Sequence, residues 1–491
     1  MEMDNLTAVE RRVADAYAVA ASLDLRVPDP DTGAPERPED GGGWGPERTV
    51  RASVIRELLL SRPAEDGRIP GLRIAGIRIT GCLRLPYGGV DCEASFLDCH
   101  FEEAPNLYGA RIRQLGFPGS FLPGLVAATI RVDGVLRLTD CRVPGPVRLG
   151  GAQITGAVFM DGAHIGTEAA DEPVLLLNHA QLGGDLWAPK LVVEGEARME
   201  GASVTGSVNL REAAFSRPGG TALHADALAV GIDLNAWRLR SEGHIDLRGA
   251  RVPGRLVLSN ARLSHPDGYA LRASSTVVGE LWMRETRIAG AVNLRRSQIE
   301  VVHVPSDVWP DRLRLDGLTY TALDPAEPAT ARLPMLERDP RGYVPHAYEQ
   351  LTAAYRRIGD DASARTVQLA KQRRHRATLV RYARAWGWVQ DATVGYGFRP
   401  MRAAGWLFSL LLAGSLAFAV DRPRALKPEE SPDFSPVFYA LDLLLPIIDF
   451  GQERAYTPEG WTQGLAYLLI IAGWILATTV VAGVTRTVSR Q

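Results

Sequence analysis

Residues 136–143 read LRLTDCRV, 147–154 read VRLGGAQI and 158–165 read VFMDGAHI, one phrase three times over. Leu138, Leu149 and Met160 stand 11 residues apart. In each copy an apolar residue is followed three positions on by a small one, then by an aliphatic one. The phrase returns as ARMEGASV (197–204), VNLREAAF (208–215), IDLRGARV (245–252), LVLSNARL (256–263), LWMRETRI (281–288) and VNLRRSQI (292–299). A longer period lies over it: Gly134, Gly184, Gly231 and Gly279 open GVL, GDLW, GIDL and GELW at spacings of 50, 47 and 48 residues. The loops SRPGG (216–220) and SHPDG (264–268) sit at equivalent places in consecutive long repeats. Self-similarity at a fixed period is the mark of a solenoid. Alternation such as Val-x-Leu is strand period, so the repeat is β. Ala fits a tight inward corner, and Gly relieves corners that need unusual dihedrals. Two phrases make one coil of about 22 residues, and the long period is two coils with a loop.

NARLSH (260–265), GARVPG (249–254) and GAQITG (151–156) carry a further likeness. In them the chain resembles the pentapeptide-repeat family. That resemblance implies a mainly β fold, a right-handed quadrilateral parallel β-helix with four short faces of five residues. It covers roughly 230 residues when the weaker copies from Ile69 are counted. Phrases of 11 and 13 residues depart from a strict five-residue grid. Some members of that family mimic DNA, which needs an acidic stripe. These phrases instead carry Arg137, Arg148, Arg198, Arg211, Arg248 and Arg295.

A chain of 491 residues, 46% apolar, is long enough for several domains. A net charge of -2 gives no global pull toward nucleic acid. Cys82, Cys92, Cys99 and Cys141 form no CxxC pair and read as small hydrophobes buried in the solenoid. The start, MEMDNLTAVERRVADAY, lacks the apolar core of a cleavable signal. The Ala, Arg and Gly content suggests a bacterial source.

Residues 1–65 read as a helical cap for the open end of the solenoid. Its first helix spans 1–25, with Asn5 as cap and Val9, Val13, Ala16 and Ala20 on one face. A flexible loop follows at 28–43, then a second helical stripe of Val50, Val54, Leu58 and Leu59. The Gly run at 41–43 lacks the GK[ST] ending of a phosphate loop. The solenoid is expected over 66–305 and a closing loop over 306–342. Residues 343–400 form a basic helical neck, with Tyr348, Leu351, Ala354 and Tyr355 on one face. Gly359 stops its first helix, and Asp360 or Asp361 caps the next. The second helix carries Lys371, Arg373, Arg374, Arg376, Arg381 and Arg384, a set suited to an anionic lipid surface.

Residues 401–491 read as a two-span membrane domain. Residues 403–420 are 18 without a charge, and 464–485 are 22. At 1.5 Å per residue the shorter run reaches about 27 Å, enough to cross a bilayer. Basic residues flank the outer ends of the pair and the connection is acidic, so both termini belong in the cytoplasm of a multi-pass protein of the bacterial inner membrane. Between the spans, 437–448 suit a re-entrant or interfacial half-helix. The layout resembles the pore domain of two-span channels. The filter of such channels follows the pore helix, where this chain has Ile448-Asp449-Phe450-Gly451 instead. A TVGYG does occur at 393–397, but before the first span. Asp442, Asp449, Gly451 and Glu453 are the membrane or pore candidates: an ionisable group such as Asp442 or Asp449 at membrane depth is functional by default, whereas at the outer headgroup level it merely caps a helix, and both readings stay open.

No GxGxxG between strand and helix, HExxH or GxSxG occurs, so no catalytic residue, metal or cofactor is expected. His164, His179, His224 and His244 fall within solenoid phrases as rim or core residues, and Asp233 with Asp246 could stack on neighbouring coils. The leading reading is a non-enzymatic, membrane-anchored scaffold or sensor with a protein partner. An oligomeric pore regulated by the solenoid is the second reading, and a membrane-associated oxidoreductase without a recognisable cofactor motif the third. Arg211, Arg248, Arg284 and Arg295 could form a basic ridge for an acidic partner. Nucleic acid is not expected.

Overall fold

The structure is a computed structural model. It describes residues 6–28, 36–61, 70–167, 169–395, 400–427, 432–445 and 448–488; side chains at 386, 389, 393, 394, 400, 401, 403 and 478–488 fall outside the description. Contacts divide the chain into two units, Met1–Gln350 and Leu351–Gln491.

The first unit is a parallel β-solenoid of about 11 turns. One coil shows the construction. Arg131–Val132, Leu136–Arg137, Arg142–Val143 and Val147–Arg148 are four two-residue strands, one per face. The first two belong to a larger sheet of 18 strands and the last two to a second sheet of 12. Each coil therefore has two corners that change sheet. We call the passage from larger to second sheet the first corner, and the return the second corner. Every strand pairs in parallel with its equivalent one coil on. Leu136 pairs with Val158, Val158 with Leu186, Leu186 with Val208 and Val208 with Leu234, so coils of 22 residues alternate with longer ones. The extra residues bulge at equivalent places, in Ala214–His224 and Arg262–Arg272.

Within a phrase the inward positions are fixed by the alternation. Val147, Leu149, Ala152 and Ile154 are buried, as are Val158, Met160, Ala163 and Ile165 one half-coil later. The corners are four-residue turns closed by an i to i+3 bond, such as Ala152 N to Leu149 O at 3.0 Å. Asn at the second phrase position shapes several of them. The Asn209, Asn235 and Asn293 carboxamides each accept from the backbone N–H two residues on.

Two expectations about the corners change. At the corner turns the positive-φ position is held more often by a non-glycine residue than by Gly, among them Asp140, Lys190, Glu212, Arg238 and Asn260. The four marker glycines answer a different need, which is close approach of successive coils. A Cβ on Gly134 would lie 2.9 Å from Arg113 O, on Gly231 1.9 Å from Thr205 O, and on Gly279 2.3 Å from Pro253 O.

The amino-terminal cap differs from the expected pair of helices in detail. Helix α1 spans Ala8–Ala18, capped by Thr7 in a capping box with Glu10, and Asn5 lies outside the described residues. Its buried face is Val9, Glu10, Val13 and Tyr17 rather than one reaching Ala16 and Ala20. Beyond it Ser22–Asp24 pairs with Leu72–Ala75 and covers the first edge. Val50 sits in the strand Thr49–Arg51, and α2 (Ala52–Leu60) buries Val54, Ile55, Leu58 and Leu59. Within the expected loop, Pro38–Gly43 is a 3-10 helix set against His100, and 29–35 lie outside the described residues.

Glu10 ties this cap together. Its carboxylate accepts Arg51 Nε at 2.7 Å, Arg51 N at 3.1 Å and Thr7 N at 2.9 Å. The Arg51 guanidinium holds the Glu10 carboxyl down at about 2, against an ordinary 4.5. A carboxyl depressed in the folded state stabilises fully above its unfolded pKa and loses that contribution as pH falls through the folded one. Glu10→Gln is therefore expected to destabilise α1 by about 2 kcal/mol at pH 7. That difference should vanish between about pH 4.5 and 2. Hydrogen exchange of the α1 amides measures both.

The solenoid runs further than 305. Leu313–Arg314 and Thr319–Asp324 continue the two sheets through what the sequence suggests is a closing loop. Helix α3 (Ala329–Leu336) then follows, and its buried Arg332 donates to Val304 O and Pro325 O.

In α4 (Pro345–Arg357), Tyr348, Leu351, Ala354 and Tyr355 are buried as one face. Gly359 turns at φ 79°, and Asp360 caps α5 (Asp361–Ala377) by accepting from Ser363 N. Then come α6 (Arg381–Val394), α7 (Pro400–Val420), α8 (Pro436–Leu444), the single turn α9 (Gln452–Ala455) and α10 (Trp461–Val488). The half-helix expected over 437–448 is thus α8, with 446–447 outside the described residues.

Helices α7, α8 and α10 pack closely through small residues. A Cβ on Gly473 would lie 2.2 Å from Leu444 O, and one on Gly414 2.9 Å from Leu469 Cδ1. Phe418, Tyr439, Leu443, Leu444 and Leu469 form the core between them. Among the described residues no helix is long and apolar enough to cross a membrane. The stretches of α7 and α10 with described side chains are 404–420 and 461–477, each short of the ~20 residues of a typical span.

Candidate functional site

The first corner gathers the polar chemistry of the solenoid's surface. Lys190, Glu212, Arg238 and Asn260 occupy the same turn position on four successive coils, at φ 58, 58, 56 and 60°. Just beyond it the second sheet stacks Arg240 on Arg262 and Arg262 on Arg287 in register. A cleft of about 520 Å³ lies here, lined by Lys190, Glu212, Arg238, Arg240, Asn260 and Arg262. On the larger-sheet side of the same corner is a second cleft of about 340 Å³, with Arg211, Asn235, Trp237, Arg255 and Trp282. Two guanidinium groups lie near the Trp237 ring, Arg211 at 4.9 Å and Arg238 at 4.1 Å. Trp282 stacks on His303 at 3.8 Å and has Arg284 at 5.2 Å. The indoles hold arginines in place by cation–π attraction.

No known protein family, curated protein or solved structure matches this chain.

The expected basic ridge is divided. Arg211 and Arg284 stand at the first corner, three residues beyond the strand positions Val208 and Leu281. Arg248 and Arg295 stand at the second corner, beyond Ile245 and Val292. Three of the four also have acidic partners: Arg248 with Asp246 and Asp226, Arg284 with Asp324, Arg295 with Asp316. A phrase is half a coil, so equal positions in successive phrases alternate between corners.

Asp233 and Asp246 do not stack on each other. Asp233 lies beside the larger sheet and takes a two-pronged bond from Arg255, at 3.2 and 2.7 Å. Asp246 is buried in the second sheet, in a ladder of Arg198, His224, Asp246 and Arg272. Burial opposes its charge, but His244 nearby at 3.6 Å and the bonds from Arg248 outweigh it and hold the carboxyl at about 2. His224 approaches Glu196 at 3.8 Å in the same alternating ladder, and His164 lies between Arg142 (2.7 Å) and Glu194 (3.2 Å). His179 sits at a second-corner turn with φ 55°. Among the described residues no group of three or more His, Cys, Asp and Glu is placed to hold a metal ion. Cys92, Cys99 and Cys141 are buried and Cys82 is partly so. Burial pushes the Cys99 thiol up to about 12, a structural rather than a reactive environment.

In the second unit Asp442 is a clamp. Its buried carboxylate accepts the backbone N–H groups of Phe450 at 2.6 Å, Gln452 at 2.8 Å and Glu453 at 3.0 Å. It closes the loop between α8 and α9. Asp449, half exposed, accepts from Gly451 N and pairs with Arg454 at 3.0 Å. Gly451 turns the chain at φ 79°. Gln452, which the sequence did not flag, is buried and braces Ser435 N and Asp433 O.

The basic set of the neck is spread over two helices. Lys371, Arg373, Arg374 and Arg376 lie on α5, whereas Arg381 and Arg384 lie on α6. Asp391 takes both Arg373 (2.9 Å) and Arg376 (3.3 Å), which fastens α5 to α6. Of the TVGYG stretch, Thr393 and Val394 end α6 and Gly395 caps it at φ 55°, while Tyr396 and Gly397 lie outside the described residues.

Proposed function

We propose that this protein is a non-catalytic interaction scaffold: a β-solenoid of the pentapeptide-repeat type, held at a membrane by α7 and α10. The observation that carries the membrane part is the inverted distribution of side chains in the second unit. Trp406, Phe408, Leu412, Leu416 and Val420 on α7 are between 49 and 86% exposed. Trp461, Tyr467, Leu468, Ile471 and Trp474 on α10 are between 54 and 62% exposed. Asp442, Gln452 and Thr462 are buried instead. In water such an apolar exterior is costly, whereas hydrocarbon accepts it and leaves polar groups to be satisfied inside. Close packing through Gly414 and Gly473 is the manner of helices in lipid.

The sequence supplies the length. Ala403 completes 18 uncharged residues on α7, and 478–485 complete 22 on α10. The charges flanking these runs favour a multi-pass protein of the bacterial inner membrane with both termini in the cytoplasm. Four short faces per coil and an inner row of small and aliphatic residues support the pentapeptide-type reading of the solenoid. The scaffold reading rests on rigid, repeated outward positions, with the carboxylates and histidines of the ladders tied up in ion pairs.

The test is flotation of the full chain with bilayer vesicles, followed by alkaline carbonate extraction. The protein is expected to stay with the vesicles and to need detergent for release. Complete release by carbonate, or a detergent-free soluble protein, would overturn the membrane anchor.

A further inference from the structure

We infer that the cleft at the first corner of the solenoid is a binding site for a compact, multiply charged phosphate-class anion. Its lining carries four cations, Lys190, Arg238, Arg240 and Arg262, against one carboxylate, Glu212. Elsewhere on the solenoid several arginines meet an acid one coil away: Arg255 with Asp233, Arg248 with Asp226, Arg295 with Asp316, and Arg111, itself stacked on Arg131, with Asp133. Here they meet each other. Arg240, Arg262 and Arg287 are register partners on three successive coils, about 4.8 Å apart in a parallel ladder. Among the described residues none of Lys190, Arg240, Arg262 and Arg287 makes an ion pair with a carboxylate. Like charges directly opposite one another in a sheet are destabilising. An anion lodged between them reverses the sign.

The geometry suits oxyanions in two further ways. Arg238 is held over the Trp237 ring, so a guanidinium stands ready at the rim with less freedom to lose on binding. Asn260 adds a neutral polar group to the lining. Guanidinium forks match phosphate oxygens in pairs, and a concave site of about 520 Å³ accepts a small oligophosphate or a single phosphorylated head group. The neighbouring indoles do not favour a stacked base, because Trp237 has an arginine near its ring from either side in sequence and Trp282 is already covered by His303.

The test is calorimetric titration of the full chain in detergent with sodium tripolyphosphate. Short-chain phosphatidic acid below its micelle concentration is titrated in a second arm. Wild type is expected to bind tripolyphosphate, more weakly as salt rises. Arg240→Gln combined with Arg262→Gln should weaken binding at least about tenfold. Arg131→Gln, a remote exposed arginine of the larger sheet, should change it less than about twofold. Without ligand, the double variant should melt at or above the wild-type temperature in low salt, which separates lost recognition from lost folding. Tighter binding of the phosphatidic acid would assign the anion to a lipid head group, and tighter binding of tripolyphosphate to a soluble ligand. Absence of binding in both arms, or an equal loss with Arg131→Gln, would overturn the site.

Discussion

Gly231→Ala is expected to destabilise the solenoid by about 3 kcal/mol or more, although it adds a single methyl group. That methyl carbon would stand 1.9 Å from Thr205 O and 2.7 Å from its carbonyl carbon, both backbone atoms of the preceding coil. Backbone cannot swing aside as a side chain does, so the two coils must part or tilt. Stability in a solenoid is close to a sum of neighbouring interfaces, and the damage falls on the interface between these two coils. Gly89→Ala is the matched control. Nothing lies within 4 Å of its Cβ and its φ is not left-handed, so it should be neutral or stabilising by up to about 1 kcal/mol. Thermal unfolding followed by the β signal in circular dichroism compares them. Equal melting of the two variants would contradict close coil approach as the role of Gly231.

Asp442→Ala is expected to release the loop between α8 and α9. Three backbone N–H groups lose a charged acceptor at once, a cost of about 4 kcal/mol. The amides of Phe450, Gln452 and Glu453 should then exchange about 10³ times faster, since each 1.4 kcal/mol is a factor of ten. Asp442→Asn keeps one acceptor oxygen and should fall between. Asp449→Ala should cost less than about 1 kcal/mol, because the Asp449 pair with Arg454 is exposed. The two acids look equivalent in the sequence, flanking the same apolar segment. Unchanged amide exchange in Asp442→Ala would return Asp442 to the candidates for a pore.

The course of the solenoid is legible in the sequence because its inside is repetitive. Leu138, Leu149 and Met160 recur at half-coil spacing, and alternate long phrases betray the bulges at 216–220 and 264–268. What escapes is what changes between coils. The ridge of Arg211, Arg248, Arg284 and Arg295 follows from aligning phrases, and that alignment hides the alternation of corners. Lys190, Glu212, Arg238 and Asn260 form one column only after coils of unequal length are counted, so no single period finds them. The sequence suggests an end at 305, short of the observed one, for a related reason. Prolines at 305 and 310 interrupt the phrase, while the pairing of Leu313–Arg314 and Thr319–Asp324 continues. The cap carried a readable signal in Thr7-x-x-Glu10, one short box against a Val and Ala stripe that pointed elsewhere. The clamp of Asp442 joins residues eight to eleven apart across a turn, a contact that no local pattern encodes.

Cross-linking at the first corner tests the stacking of the coils most directly. In a Cys82→Ser background the remaining thiols are buried, and Glu212→Cys is combined with either Arg238→Cys or Ala227→Cys. Glu212 and Arg238 are farther apart in sequence but stack on successive coils, whereas Ala227 lies at the second corner. A short thiol cross-linker is expected to join 212 to 238 efficiently and to leave 212 and 227 unlinked. Linking of 212 to 227, with none between 212 and 238, would contradict the stacked coil and the cleft built upon it.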